Sequence, residues 1–382
     1  MNNSSSYEVG KAVKRRRNEQ QQQEEEEYSI TTTDRLSHLP DPIIHHILSF
    51  LDTKSAVQTS VLSRLWRSTW KHVPVLRLVS GSFRRFSSFR RFVDNVLSLR
   101  RPFNVRETLF VMSHHHLEED VSFVAKVAQY SLSHDAQHLV FQLLGVTGLE
   151  ASRRLSNLFG TISHCSLETL RLSVSFIDCG FGSFGFRMLK TLELRCCQLV
   201  PDEDGVFDPF PNFPRLENLV LDGCCQGYGY ETRLKISGPK LLNLELCVIW
   251  FASVEIDAPR LKLFDLHHLL DSVKFAKLSF PSLDHAIIDI NDQFEFMEGN
   301  EDSVAQCLIT LFQGLSNVTI LRLEPETIKV LSNVFPEILD QQQSSPFTRL
   351  VSLNVTANSV PYSLLAYFLE GSSAQEPTLL YI

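Results

Sequence analysis

"LKTLEL", Leu189 to Leu194, carries leucine at its first, fourth and sixth positions. Apolar and polar residues alternate through its second half, as a strand with one buried face requires. The spacing recurs in "LETLRL" from Leu167, "LENLVL" from Leu216, "LLNLEL" from Leu241 and "LKLFDL" from Leu261. It continues in "LDHAII" from Leu283, "VTILRL" from Val318 and "LVSLNV" from Leu350. Taking the second anchor of each, Leu170 to Leu353 covers 183 residues in seven steps, about 26 per step. A period of this length means stacked units, none of which hides its apolar face alone.

Period and pattern together resemble leucine-rich repeats, spanning 167–359. The resemblance implies an α/β fold: a solenoid with a curved parallel sheet, whose concave strand faces and adjoining loops receive a partner. Cys197 and Cys224 stand three residues beyond Leu194 and Leu221, where the repeat needs Asn or Cys to satisfy the turning backbone, and Asn358 takes that place after Val355. The cysteines therefore read as structural, not metal-binding. Prolines two residues before the strand start, at Pro214, Pro239, Pro259 and Pro281, suit a strand entrance. Weaker strands at Leu109 to Val111 and Leu139 to Phe141 begin the stack, within a region 79–166 read as a linker helix and irregular first repeats. The steps from Ala286 to Leu321 and from Leu321 to Leu353, 35 and 32 residues, leave room for helices, with "EDSVAQCLITLFQGL" on the outer side. In "VPYSLLAYFLEGS", Pro361 opens a helix with Leu364, Leu365, Phe368 and Leu369 on one side. Residues 360–382 are expected to cap the stack, with the chain stopping at Ile382 soon after the final strand.

The chain has 382 residues, 43% hydrophobic and 10% aromatic, enough apolar material for two or three units. No apolar run approaches the roughly eighteen residues of a membrane span, and no charged leader precedes a cleavage site. A soluble, intracellular protein without a membrane partner is expected. Eight cysteines with no C-x-x-C pair predict reduced thiols. The net charge of -8 argues against a chain-wide affinity for nucleic acid. Residues 1–33, rich in Gln, Glu and Ser, are expected to be disordered. Within them Lys11 and Lys14 to Arg17 read as a nuclear-import signal, which puts the protein in the nucleus or the cytosol.

Behind this tail comes "LPDPIIHHILSFL", Leu39 to Leu51. Asp41 is placed as a helix cap and Pro42 as the first helical residue. Ile44, Ile47, Leu48 and Leu51 then share a face at i, i+3, i+4 and i+7. Thr53 to Leu62 gives a second short helix with Val57 and Val61, and Ser63 caps a third in which Leu62, Trp66 and Trp70 recur every four residues. So small a unit cannot hide all of that surface internally, and an interface is implied.

The stretch Asp34 to Leu76 resembles the F-box of plant F-box/leucine-rich-repeat proteins. Leu39-Pro40, the Ile-Ile and Ile-Leu pairs, Val57, "SVLS" and the Trp66/Trp70 pair carry the resemblance, and Leu65 departs from it, since relatives often have a basic residue there. It implies a three-helix F-box over 34–78 that docks on a Skp-type adaptor and, through it, on the cullin scaffold of an SCF-type ubiquitin ligase, while the repeats bind a substrate protein. Adaptor contacts fall by resemblance on Leu39, Pro40, Ile43, Ile44, Leu48, Val57, Val61 and Leu62, with Trp66 and Trp70 divided between contact and internal packing. Rival readings are a scaffold acting outside a ligase and a small-molecule sensor. Relatives can carry a further C-terminal region, which places any function tied to it outside the resemblance.

"FRRFSSFRRF", Phe83 to Phe92, interleaves arginine and phenylalanine as single-strand nucleic-acid binders do. Phe86, Phe89, Val93, Val96 and Leu97 nonetheless share one helical face and leave Arg84, Arg91 and Arg101 to solvent, so a core helix joining the F-box to the repeats is predicted. His114 to His116 beside Glu118, Glu119 and Asp120 read as a solvated loop, because adjacent histidines do not converge on one ion. Phosphate-cradling glycine loops, nucleophile elbows and spaced carboxylate pairs are all missing from the sequence. The expectation is a non-catalytic receptor subunit without a cofactor.

Overall fold

The computed structural model describes residues 39–64, 66–100, 104–113, 121–144, 166–174, 176–178, 186–226, 231–267, 274–290, 301–341, 344–356, 360–372 and 378–380. The basic run, Leu65, Arg101, the His114 to Asp120 segment and Asn358 lie outside these residues. The chain divides into two units, Met1–Val73 and Pro74–Ile382.

The first unit is helical: Asp41–Ser49, Thr53–Gln58 running into a tight turn at Thr59–Val61, and Trp66–Thr69 running into a second at Trp70–His72. Asp52 starts the second helix, its carboxylate accepting from the Ser55 N–H at 2.8 Å. Ser63 Oγ accepts from the Trp66 N–H at 3.4 Å, in line with the expected cap. The first helix starts one residue earlier than expected. The Pro40 carbonyl takes the N–H groups of Ile43 and Ile44, so Asp41 is the first helical residue and its side chain caps nothing.

The second unit is built on a parallel sheet of twelve strands whose order in space is their order in the chain. The second anchors of the eight repeats lie in one unbroken register: Leu170, Leu192, Leu219, Leu244, Phe264, Ala286, Leu321 and Leu353. All are buried, and a continuous ridge of this kind is what each unit lacks when alone. The strands Glu107–Ser113 and His138–Leu144 extend the sheet toward the N-terminus, as expected. A further strand, Val75–Val79, precedes them and pairs with Glu107–Val111, so the sheet begins inside the stretch read as F-box.

Each of the four prolines sits in a turn just ahead of its strand. The N–H groups of Leu216, Leu241, Leu261 and Leu283 bond to the carbonyls of Phe213, Gly238, Ala258 and Phe280, which makes Pro214, Pro239, Pro259 and Pro281 the second residue of each turn. The fixed φ of proline thus shapes the chain reversal before the strand.

Opposite the main sheet, the middle repeats close with two smaller parallel ladders. One joins Phe176–Asp178, Gln198–Val200 and Cys225–Gln226; the other joins Val206–Phe207, Arg233–Ser237, Ser253–Asp257 and Phe275–Ser279. Helices take this role toward both ends. Phe86–Leu99 buries Phe89, Val93, Val96 and Leu97 and crosses between the first two strands of the sheet. Glu301–Gly314 forms as expected, and Pro325–Gln341 follows the next strand. Tyr362–Leu369 buries Leu364, Tyr367 and Phe368. The sheet goes on past this helix to Thr378–Leu380, so the segment expected to cap the stack supplies a helix and then one more strand.

Candidate functional site

Apolar side chains that stay exposed are concentrated in the first unit. Among the described residues eleven large hydrophobics are exposed, and six lie between Ile43 and Leu62: Ile43, Ile47, Phe50, Leu51, Val61 and Leu62. On the first helix Ile43 and Ile47 are i and i+4 and share a face, and Phe50 and Leu51 follow at its C-cap and in the bend beyond it. Val61 and Leu62 end the following turn at 86% and 64% exposure. Exposed apolar side chains in such number are what an interaction surface would need.

The residues expected at such a surface divide between two faces. Pro40, Ile43, Val61 and Leu62 are exposed, and Leu39 and Val57 are half-buried. Ile44 and Leu48 are fully buried, and Trp66 and Trp70 nearly so, so the contacts expected by resemblance at Ile44 and Leu48 are not on the exposed side. The helix must seat one side chain per turn in its own core, and Ile44 and Leu48, four apart, do so. Ile47, Phe50 and Leu51 are the outward residues that periodicity assigned to the wrong side or passed over. Their signal was present as a second i, i+4, i+7 series starting at Ile43.

In the second unit the side of the main sheet away from the leucines carries a row of charged residues among Val220, Leu263 and Ile287. Between Arg171 and Asp289 it carries Glu193, Asp222, Glu245, Asp265 and His267 on neighbouring strands. Glu193 accepts from Arg171 at 2.8 Å and from Arg195, which also pairs with Asp222. His267 sits between Asp265 at 2.7 Å and Asp289 at 3.4 Å. Burial and then the nearby Asp265 push the Glu245 carboxyl above its ordinary pKa. A depression of about 110 Å³ opens on this face beside Arg171, Glu193 and Arg195.

The turns that leave the sheet repeat one device. Cys196, Gly223 and Val248 occupy equivalent positions with φ of 53°, 62° and 48°. Their N–H groups bond to the carbonyls of Asp222, Cys247 and His267 on the next strand. One residue on, the buried Cys224 donates its thiol to Leu194 O at 3.3 Å, and Cys197 does the same to Arg195 O at 3.1 Å. Burial raises the Cys224 thiol pKa, and the structural reading of these two cysteines accounts for both contacts. Among the described residues no group of three or more His, Cys, Asp or Glu is placed to hold a metal, and no helix is long and apolar enough to cross a membrane.

Against known families, the F-box domain matches residues 36–78. Residues 36–78 are an F-box. Beyond the F-box, an F-box/LRR-repeat protein of Arabidopsis thaliana is 27% identical over 348 residues, covering 85% of this chain and 73% of that protein. An FBD-associated F-box protein of the same plant is 31% identical over 241 residues, which is 61% of this chain and 50% of the relative. A third, an F-box protein, is 27% identical over 357 residues, 88% of this chain and 81% of its own length. The chain therefore resembles plant F-box/LRR-repeat proteins over most of its length, an F-box followed by a parallel repeat sheet.

Proposed function

We propose that the chain is the substrate-recognition subunit of an SCF-type ubiquitin ligase. The F-box docks on a Skp-type adaptor and through it on a cullin scaffold, while the repeats hold a substrate protein. The observation that supports this most is the set of six exposed apolar side chains on the F-box helices, which in water has no use except as an interface. On this reading the chain performs no chemistry. It raises the effective concentration of a substrate lysine near a ubiquitin carried by a partner enzyme. Lys11 and Lys14 to Arg17 would serve nuclear import on the same reading.

The test is capture of a purified Skp-type adaptor by the full chain. Val61→Asp, at the most exposed apolar position of the F-box, places a charge in the interface and should abolish capture without unfolding the unit, since the residue contributes little to its core. Leu48→Asp is not a usable probe, because its side chain is fully buried and the charge would disrupt the F-box itself. Undiminished capture by the folded Val61→Asp chain would exclude this docking mode.

A further inference from the structure

The run "RRFSSFRR", Arg84 to Arg91, takes no part in the function proposed above. Its two serines are exposed, and so are all four of its arginines. The phenylalanines set this orientation. Phe86 and Phe89 pack on Phe123 with ring centroids 6.1 and 6.0 Å apart, and Phe83 packs on Phe89 and Phe92 at 5.4 and 5.1 Å. The aromatic side is thereby held in the core and the serine-arginine side is left to solvent. Arg90 lies over the Phe123 ring, but Arg84, Arg85 and Arg91 enter no ion pair among the described residues. Asp94, an acid further along the same helix, is already held by Lys126.

We propose that Ser87 is a phosphorylation site for a protein kinase that selects arginine ahead of its target serine. Arg84 and Arg85 stand three and two residues before Ser87, both exposed and, on their guanidinium side, uncommitted. A kinase groove lined with carboxylates can take such guanidinium groups in paired hydrogen bonds. The local backbone also suits an extended kinase-bound segment. Arg85 is extended, with φ -136° and ψ 137°, and the first turn after it is tied to it by Ser88 N–H and Phe89 N–H bonding to Arg85 O at 3.1 and 3.3 Å. Opening one terminal turn requires little local unfolding.

In the transfer, Ser87 Oγ bonds to the γ-phosphorus of ATP and the bond from that phosphorus to the β,γ-bridging oxygen breaks. ADP leaves, and the hydroxyl proton passes to a carboxylate base of the kinase. The product carries about -1.5 to -2 charge at neutral pH. Arg91, four residues ahead on the same helical face, is placed to pair with it. The surface becomes less positive, and Arg91 gains a partner on its own helix.

The experiment treats the full chain with the catalytic subunit of cyclic-AMP-dependent protein kinase, used as an arginine-directed probe, and Mg-ATP, and maps the sites by tandem mass spectrometry. A synthetic peptide of residues 82–92 is run beside it. Ser156, which follows Arg153 and Arg154 and lies outside the described residues, is scored separately. The expected result is phosphate on Ser87, none at that position in S87A, and an initial rate at Ser87 at least about tenfold lower in R84Q/R85Q, the loss expected when a guanidinium–carboxylate pair is removed. All three substituted positions are exposed, so the variants keep the fold. An intact chain left unmodified at Ser87, with or without labelling of the peptide, would overturn the proposal. So would equal rates in R84Q/R85Q and the native chain.

Discussion

Ile43 and Ile44 are neighbours in the chain, yet Ile44 is fully buried and Ile43 is 47% exposed. A turn of about 100° per residue separates them, and it divides the F-box helix into a side that holds the unit together and a side left exposed. Ile44→Ala should lower the stability of the unit by about 2–5 kcal/mol through the cavity it leaves. Ile43→Asp should change stability by no more than about 0.5 kcal/mol and should weaken adaptor capture. Denaturant unfolding and pull-down on both variants check this; loss of folding by Ile43→Asp would contradict the division.

Gly314 and Leu278 show how closely the helix Glu301–Gly314 approaches the ladder beneath it. A Cβ at Gly314 would lie 2.6 Å from Leu278 Cβ. Gly314→Ala should therefore destabilise by about 1–3 kcal/mol, the range for overpacking, although alanine is the better helix former by about 1 kcal/mol. A Gly314→Ala protein with a raised melting temperature would mean that helix and strand separate freely.

Gly223 and Val248 hold the same left-handed position in successive turns, with φ of 62° and 48°. A β-branched residue there is strained by about 1–2 kcal/mol. Val248→Gly should raise stability by up to about 1 kcal/mol, and Gly223→Ala should lower it by a similar amount. Melting curves that move in the same direction for both would disprove the strain argument.

His267 supplies a pH dependence. Burial draws its pKa down, but Asp265 and Asp289 outweigh that and hold it above 6.5. Because the folded value exceeds the unfolded one, the stabilisation is fully present below about 6.5 and is lost as pH rises through the folded value. His267→Gln should thus cost more stability at pH 6 than at pH 8. Unfolding titrations at the two values decide it, and a penalty that grows with pH would reverse the sign of the coupling.

Phe368 joins the last helix to the core: its ring centroid lies 5.4 Å from that of Phe312 and 5.3 Å from that of Phe347. Phe368→Ala should cost about 3–5 kcal/mol and speed amide exchange in Ser352–Thr356. Unchanged exchange in that strand would show that the helix is not part of the same cooperative unit.

The repeat register was legible in the sequence because each strand has one apolar and one polar side, so Leu170 to Leu353 could be aligned from spacing alone and the structure pairs the same residues. The F-box was legible for a different reason: Leu39-Pro40, the isoleucine pairs and the two tryptophans together form a specific pattern. Periodicity grouped Ile47 and Leu51 with the buried Ile44 and Leu48, because "IIHHILSFL" is apolar on both sides. Val75–Val79 falls in the stretch read as F-box and Thr378–Leu380 is only three residues long, and their pairing with Glu107–Val111 and Asn354–Thr356 is what places them in the sheet. The contact of Gly314 with Leu278, the left-handed Val248 and the His267 bridge between two aspartates likewise arise from residues far apart in sequence. Local patterning decided which segments would be strands and helices; only packing in three dimensions decided which apolar residues became core and which were left exposed.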